Sequence, residues 1–216
     1  MGEEEVAGEP LRAPEEEERM SAPPELILAS ASPYRRMLME RLGLSYRAVA
    51  PGSGEGGLDR LPAEERATAL AKRKALSVAA AFPEAVVIGS DQIAEVEGET
   101  LHKPGTREKA RETLRRLRGR EHRLVTGVAV ARGGAAGRVE TALDEARLVM
   151  RDLTDAEIEA YLDRESALDC AGAYRIEGLG AALFASVRTA DPTGIVGLPI
   201  TRLTALLERF GVRVLG

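Results

Sequence analysis

An α/β fold is the architecture this sequence predicts, and three observations predict it. An apolar run beginning at Leu26 leads straight into a proline-started helix; a long alanine-rich helix precedes a second apolar run; and two strand-like stretches near the middle are followed by a helix with a capping signature. At 216 residues the chain suits one domain, or one domain with two lobes, and 44% hydrophobic residues suffice for a core.

The elements follow in order. Residues 1–24, with Glu3 to Glu5, Glu15 to Glu18 and several prolines, have neither periodicity nor enough apolar residues to bury, and are expected to be a disordered acidic extension. Order is expected from 25 to 216. A short strand from Leu26 feeds a helix carrying Met37, Leu38 and Leu42 and stopped by Gly43. After a glycine-rich loop, Pro51 to Gly57, the composition predicts a helix from about Pro62 to Ala81. Ala85 to Asp91 reads as a buried strand whose end opens on a cleft, with Asp91 at that end. Glu97-Gly98 reads as a hairpin turn, and Thr106 caps a helix ended by Gly119. Strands are expected over about His122 to Ala131 and Arg138 to Met150, then a helix to about Arg164 opened by the Thr154/Glu157 capping box. A glycine-rich run, Gly172 to Gly180, and a helix from about Pro199 to Phe210 complete the chain. Thr126-Gly127 reads as a place where packing is close.

Composition excludes several classes of function. A formal charge of −5 argues against a dedicated nucleic-acid binder. Cys170 is the only cysteine and His102 and His122 the only histidines, so a thiolate or histidine-rich zinc site cannot be assembled. A metal here would be held by carboxylates, which suit Mg²⁺ or Mn²⁺. No apolar run approaches membrane-spanning length and no hydrophobic signal region opens the chain, so no membrane partner is expected and the cytoplasm is the expected compartment.

The richest segment is Leu26 to Arg36. Ser30 and Ser32 place hydroxyls beside the unpaired N–H groups of a helix start, Pro33 suits its first position, and Arg35 and Arg36 add charge, which together make a cradle for an anion such as a phosphate. The plainer alternative has Ser32 only capping the helix and both arginines solvated. With Glu55, Lys74, Asp91, Lys103 and Glu177, each beside a loop or element end, the chain carries lysine and carboxylate chemistry. It has no Gly-x-x-x-x-Gly-Lys-Ser/Thr loop and no Gly-x-Ser-x-Gly elbow. Cations against phosphates, carboxylates for a divalent metal and a group that activates water are the parts phosphoanhydride hydrolysis needs.

From about Leu26 onward the chain resembles the Maf-like nucleoside triphosphate pyrophosphatases. The residues that carry the resemblance are Ser30, Ser32, Pro33 and Arg35 of a Ser-x-Ser-Pro-x-Arg signature, Lys74-Ala75, Asp91, Lys103-Pro104, and Ala171 to Gly178 of a late Ala-Gly-x-Tyr-x-Ile-x-Gly motif. The resemblance implies an elongated mixed sheet flanked by helices, two lobes around a central cleft as in inosine triphosphatases, a homodimer, and cleavage of a nucleoside triphosphate between its α- and β-phosphates. In it, Ser30, Ser32, Arg35, Arg36, Lys74 and Lys103 would hold the phosphates. Asp91 would be general base or, with Glu55, metal ligand; both roles stay open.

Three positions, Tyr34, Gln92 and Glu177, are similar to the branch acting on 7-methyl-GTP rather than the one acting on dTTP and UTP. Methylation at N7 makes guanine cationic, and an aromatic ring over it gains about 0.5–2 kcal/mol of cation–π energy. A carboxylate such as Glu177 accepts from guanine N1–H and N2–H. Alternatively Tyr34 packs on its helix and Glu177 pairs with Arg175. The sequence departs from the family pattern at Ser53-Gly54-Glu55, where relatives usually carry Val-Asp-Glu, at His102, where glycine is common, and at Tyr34, often tryptophan in this branch. A dTTP/UTP-preferring enzyme and a non-catalytic nucleotide-binding regulator of cell division are the other expectations.

Overall fold

A computed structural model describes residues 24–54, 56–134 and 136–215. Apart from Pro24 the expected acidic extension lies outside these, as does Glu55. The described strands form one seven-stranded sheet in the order β2-β1-β3-β5-β6-β7, with β4 on β3. They are β1 (Leu26–Ala29), β2 (Arg47–Val49), β3 (Val86–Val96), β4 (Glu99–Leu101), β5 (Glu121–Arg132), β6 (Arg138–Met150) and β7 (Phe184–Thr189). β1 lies parallel to β2 and β3, and every other pairing is antiparallel, so the sheet is mixed.

Alternation along the strands divides the apolar residues between faces. Leu26, Leu28, Val86, Ile88, Val128 and Val130 meet helices α1 (Pro33–Glu40) and α6 (Ile200–Arg209) on one face. Ile27, Ala29, Val87, Ala129 and Ala131 meet α2 (Ala63–Ala79) on the other. A second core lies at the far ends of β3, β5 and β6, where Leu124, Leu148 and Met150 pack with α3 (Arg107–Leu117) and α4 (Asp155–Arg164). The two cores are the two lobes, and the same long strands run through both.

Local chemistry explains most boundaries. Thr106 accepts from Lys109 N to start α3, and Thr154 and Glu157 bond reciprocally at the start of α4. Glu97 (φ 53) and Gly98 (φ 80) make the left-handed pair a tight β3–β4 hairpin requires. β7 has an exposed pattern and α5 (Pro192–Val196) is a single short turn opened by Asp191; neither carries the apolar periodicity that announces an element.

Two glycines set the distance between α2 and the sheet. A Cβ at Gly89 would stand 2.3 Å from the carbonyl oxygen of Ala71, and one at Gly127 would stand 2.5 Å from that of Ala67. Gly89, Asp91 and Gly127 share one face, Asp91 and Gly127 being cross-strand partners. The helix therefore presses onto the sheet directly at Asp91.

Candidate active site

The site is a gap in the sheet. On its β1 side, β3 is paired with β1 only through Ile88 and with β4 only from Ala94 onward. Between these, Gly89 to Ile93 are bonded to β5 alone among the described strands. A cavity of about 820 Å³ opens there, within the usual range for ligand sites, with Ala29 of β1 at one end and Thr100 and Leu101 of β4 at the other. Asp91 is thus in mid-strand, not at the strand end its sequence suggests, because the run through Val96 continues after the neighbouring strand has left. The cleft forms where β1 stops.

Lys74 lies on the buried stripe of α2 with Ala67, Ala71, Ala75 and Val78, and its ammonium pairs with Asp91 Oδ1. The two residues are only 8% and 7% exposed. Taking charges out of water is tolerable here because each meets the other at contact distance. Asp91 Oδ2 accepts no hydrogen bond from the described residues and remains open to a ligand, water or cation.

The start of α1 forms the next wall. Ser30 Oγ accepts from Ser32 N at 3.1 Å and from Arg35 Nη1 at 3.5 Å, while Ser32 Oγ caps the helix by accepting from Arg35 N at 3.4 Å. Arg35 Nε donates to Gly197 O at 2.8 Å, which fastens the cradle to the end of α5. The capping alternative for Ser32 is therefore realised, and its O–H still has a proton to donate. Ser30, Ser32 and Arg35 all line the cavity. Arg36 does not; it is exposed, because each helical step turns the next side chain by about 100°. The structure therefore does not bring Arg36 together with the other cavity-lining residues expected to bind phosphate.

Gln92 and Asp91 are sequence neighbours on opposite faces of β3, yet both line the cavity, which wraps the free edge of the strand. The Gln92 amide Nε2 donates to Thr126 Oγ1 at 3.0 Å and to the carbonyls of Gly194 and Ile195 at 2.9 and 3.0 Å. These bonds occupy the donor side of the amide and leave Oε1 as the group facing a ligand.

Lys103 and Glu177 line the cavity from exposed positions, and neither bonds to another described residue. Glu177 does not pair with Arg175, whose partner is Asp169 at 3.2 Å. Tyr34 lines the mouth, its hydroxyl bonded to Asp169 and its ring beside Arg175. Behind the lining residue Tyr174, whose hydroxyl lies 2.8 Å from His122 Nε2, burial pushes the His122 imidazole down to about 4.

Arg66, Ser53, Asp169 and Tyr174 also line the cavity and were not singled out as site residues by sequence reasoning. Arg66 donates to Thr100 and pairs with Asp59 at 2.8 Å, but its Nε, like Ser53 Oγ, is buried without a partner among the described residues. Its position two helical turns before Lys74 was the available signal.

Hydroxyls at a helix start, several cations and a buried carboxylate around one cleft in an α/β sheet define an anion-handling pocket of the enzyme type. The chain belongs to the Maf-like protein family, whose sequence model matches residues 25–210. A 7-methyl-GTP pyrophosphatase of Xanthomonas axonopodis pv. citri (strain 306) is 46% identical over 191 residues, 88% of this chain and 99% of the relative. A protein of the same description from Bordetella pertussis (strain Tohama I / ATCC BAA-589 / NCTC 13251) is 47% identical over 190 residues, 88% of this chain and 94% of that one. A solved Ham1 protein of Staphylococcus aureus matches 59% of this chain and 72% of its own, at 19% identity and TM-score 0.41, a likeness too partial to add to the assignment.

Proposed function

We propose that this protein hydrolyses the α–β phosphoanhydride of 7-methyl-GTP, or a related modified nucleotide, releasing the monophosphate and pyrophosphate. The observation that carries the reading is the buried Lys74–Asp91 pair, held at the free edge of β3 and facing the helix-start cradle of Ser30, Ser32 and Arg35. Relatives with the pyrophosphatase description above span nearly the same length.

In this reading Arg35, Lys74 and Lys103 offset the triphosphate charge, and Ser30 and Ser32 orient it. Asp91 takes a proton from the attacking water through Oδ2, with Lys74 fixing the carboxylate through Oδ1. Tyr34, Gln92 Oε1 and Glu177 meet the base, the carboxylate of Glu177 accepting from the guanine edge.

A divalent cation fits this donor set in one mode. Among the described residues no three His, Cys, Asp or Glu side chains converge. Mg²⁺ is commonly held by one or two carboxylates and substrate phosphates, and Glu55 would be such a carboxylate, joined by Asp91 Oδ2 in the alternative in which Asp91 is metal ligand and not base. When bound, the cation would neutralise developing charge on the phosphoryl oxygens. A homodimer and a cytoplasmic location complete the proposal; no helix among the described residues is long and apolar enough to cross a membrane.

The test is pyrophosphate release across 7-methyl-GTP, GTP, dTTP and UTP, with Mg²⁺ and with a chelator. Fastest turnover of 7-methyl-GTP is expected, and only with the metal. Faster UTP turnover would assign the chain to the pyrimidine branch, and binding without pyrophosphate release would make it a regulator.

A further inference from the structure

Tyr34, Asp169 and Arg175 form a charged cluster at the cavity mouth. Tyr34 belongs to the first turn of α1 and Asp169 to the segment after α4, so the contact joins two walls of the cleft. The Tyr34 hydroxyl donates to the Asp169 carboxylate at 3.1 Å to Oδ2 and 3.3 Å to Oδ1. Arg175 Nη2 donates to Asp169 Oδ1 at 3.2 Å, and its guanidinium carbon lies 5.4 Å from the centroid of the Tyr34 ring. Tyr34 and Asp169 line the cavity, whereas Arg175 does not and backs the ring from outside it.

The charge states follow from these contacts. Burial pushes the Asp169 carboxyl up, but the bonds from Arg175 and Tyr34 outweigh it and hold the group below the usual carboxylate range. Burial and the neighbouring Cys170 and Asp169 keep Tyr34 protonated. One full positive and one full negative charge therefore adjoin a neutral aromatic ring. A cation stacked on that ring would be repelled by Arg175 if Arg175 stood alone, and a neutral base would be almost indifferent to it.

We propose that Asp169 is a specificity-determining residue: by neutralising Arg175 beside Tyr34, its carboxylate lets the cavity accept a cationic, N7-alkylated purine. This inference rests on the reading that the base stacks on Tyr34.

The experiment measures kcat/KM for 7-methyl-GTP and for GTP in the wild-type protein, Asp169→Asn, Arg175→Gln and the double variant. Asparagine keeps an oxygen that accepts from the Tyr34 hydroxyl and removes only the charge. Asp169→Asn is expected to lower the ratio of 7-methyl-GTP to GTP on the order of tenfold, and adding Arg175→Gln to return it toward the wild-type value. An unchanged ratio in Asp169→Asn, or a double variant that restores nothing, overturns the proposal. Equal losses for both substrates would instead mean that Asp169 only holds Tyr34 in place. The wild-type ratio tests the substrate reading separately, because the shift on substituting Asp169 is informative whatever that starting ratio is.

Discussion

The deep end of the cavity and its rim are built in different ways. Lys74 and Asp91 at the deep end are almost wholly buried, and they occupy positions that elsewhere on α2 and β3 hold alanine and valine. At the rim Lys103 and Glu177 are exposed, and no described residue bonds to either. Chemistry at the deep end therefore shares its residues with the core, and substitutions there act on activity and stability together. Rim residues stand clear of the packing and can change what is accepted without changing what is folded. Under the proposed function, that difference pairs a fixed reaction at the deep end with adjustable binding at the rim.

Asp91→Asn should show the deep end at its most costly. In the proposed reaction it removes the base together with the negative charge that meets Lys74, so pyrophosphate release is expected to fall on the order of a thousandfold. Thermal unfolding of the same variant should shift downward; an unchanged midpoint would separate the pair from the core.

The next effect in size concerns the wall behind the cavity. His122 has its folded-state value held down to about 4 by burial, below the ordinary 6.5. The unfolded chain therefore takes up a proton first as pH falls. The contribution is fully present above pH 6.5 and lost progressively down to pH 4, on the order of 3 kcal/mol by linkage. Denaturant melts at pH 7 and pH 4 for the wild type and His122→Gln would show it as a smaller pH dependence in the variant.

Gly127→Ala tests how α2 delivers Lys74. The added methyl would stand 2.5 Å from the Ala67 carbonyl oxygen, so the helix must lift. A loss of about 1–3 kcal/mol is expected, with reduced turnover because Lys74 rides on the displaced segment. Retained activity with lowered stability would show that the pair tolerates the shift.

The rim should give the smallest structural effect. Lys103→Ala is expected to raise KM several-fold with little change in kcat. Lys103→Ala should leave stability within about 0.5 kcal/mol. A large stability loss for Lys103→Ala would erase the distinction between the two ends.

Much of this architecture was legible in the chain. The Thr154/Glu157 capping box, the Glu97-Gly98 turn, the β6 boundaries and the close approach at Gly127 are local chemistry, and local chemistry is written in adjacent residues. Lys74 was legible only as half of the Lys74-Ala75 pair that carries the family resemblance; its place on the buried stripe of α2 came from the structure. β7 and α5 were not, since an exposed edge strand and a single capped turn lack periodicity. Arg36 looked like Arg35 in the sequence, and helix geometry separated them.

The sequence by itself determined which residues carry charge, where helices start and stop, and which family the chain resembles, because side-chain type, capping and spacing are properties of short segments. Only the tertiary structure decided that β1 ends before β3 does, leaving Asp91 at an open edge in mid-strand. It also decided that Gln92 is spent on α5 carbonyls and that Tyr34 meets Asp169, residues 135 positions apart. The physical reason is that a gap in a sheet and a contact across a cleft depend on where separate segments stop relative to one another, and no single segment contains that information.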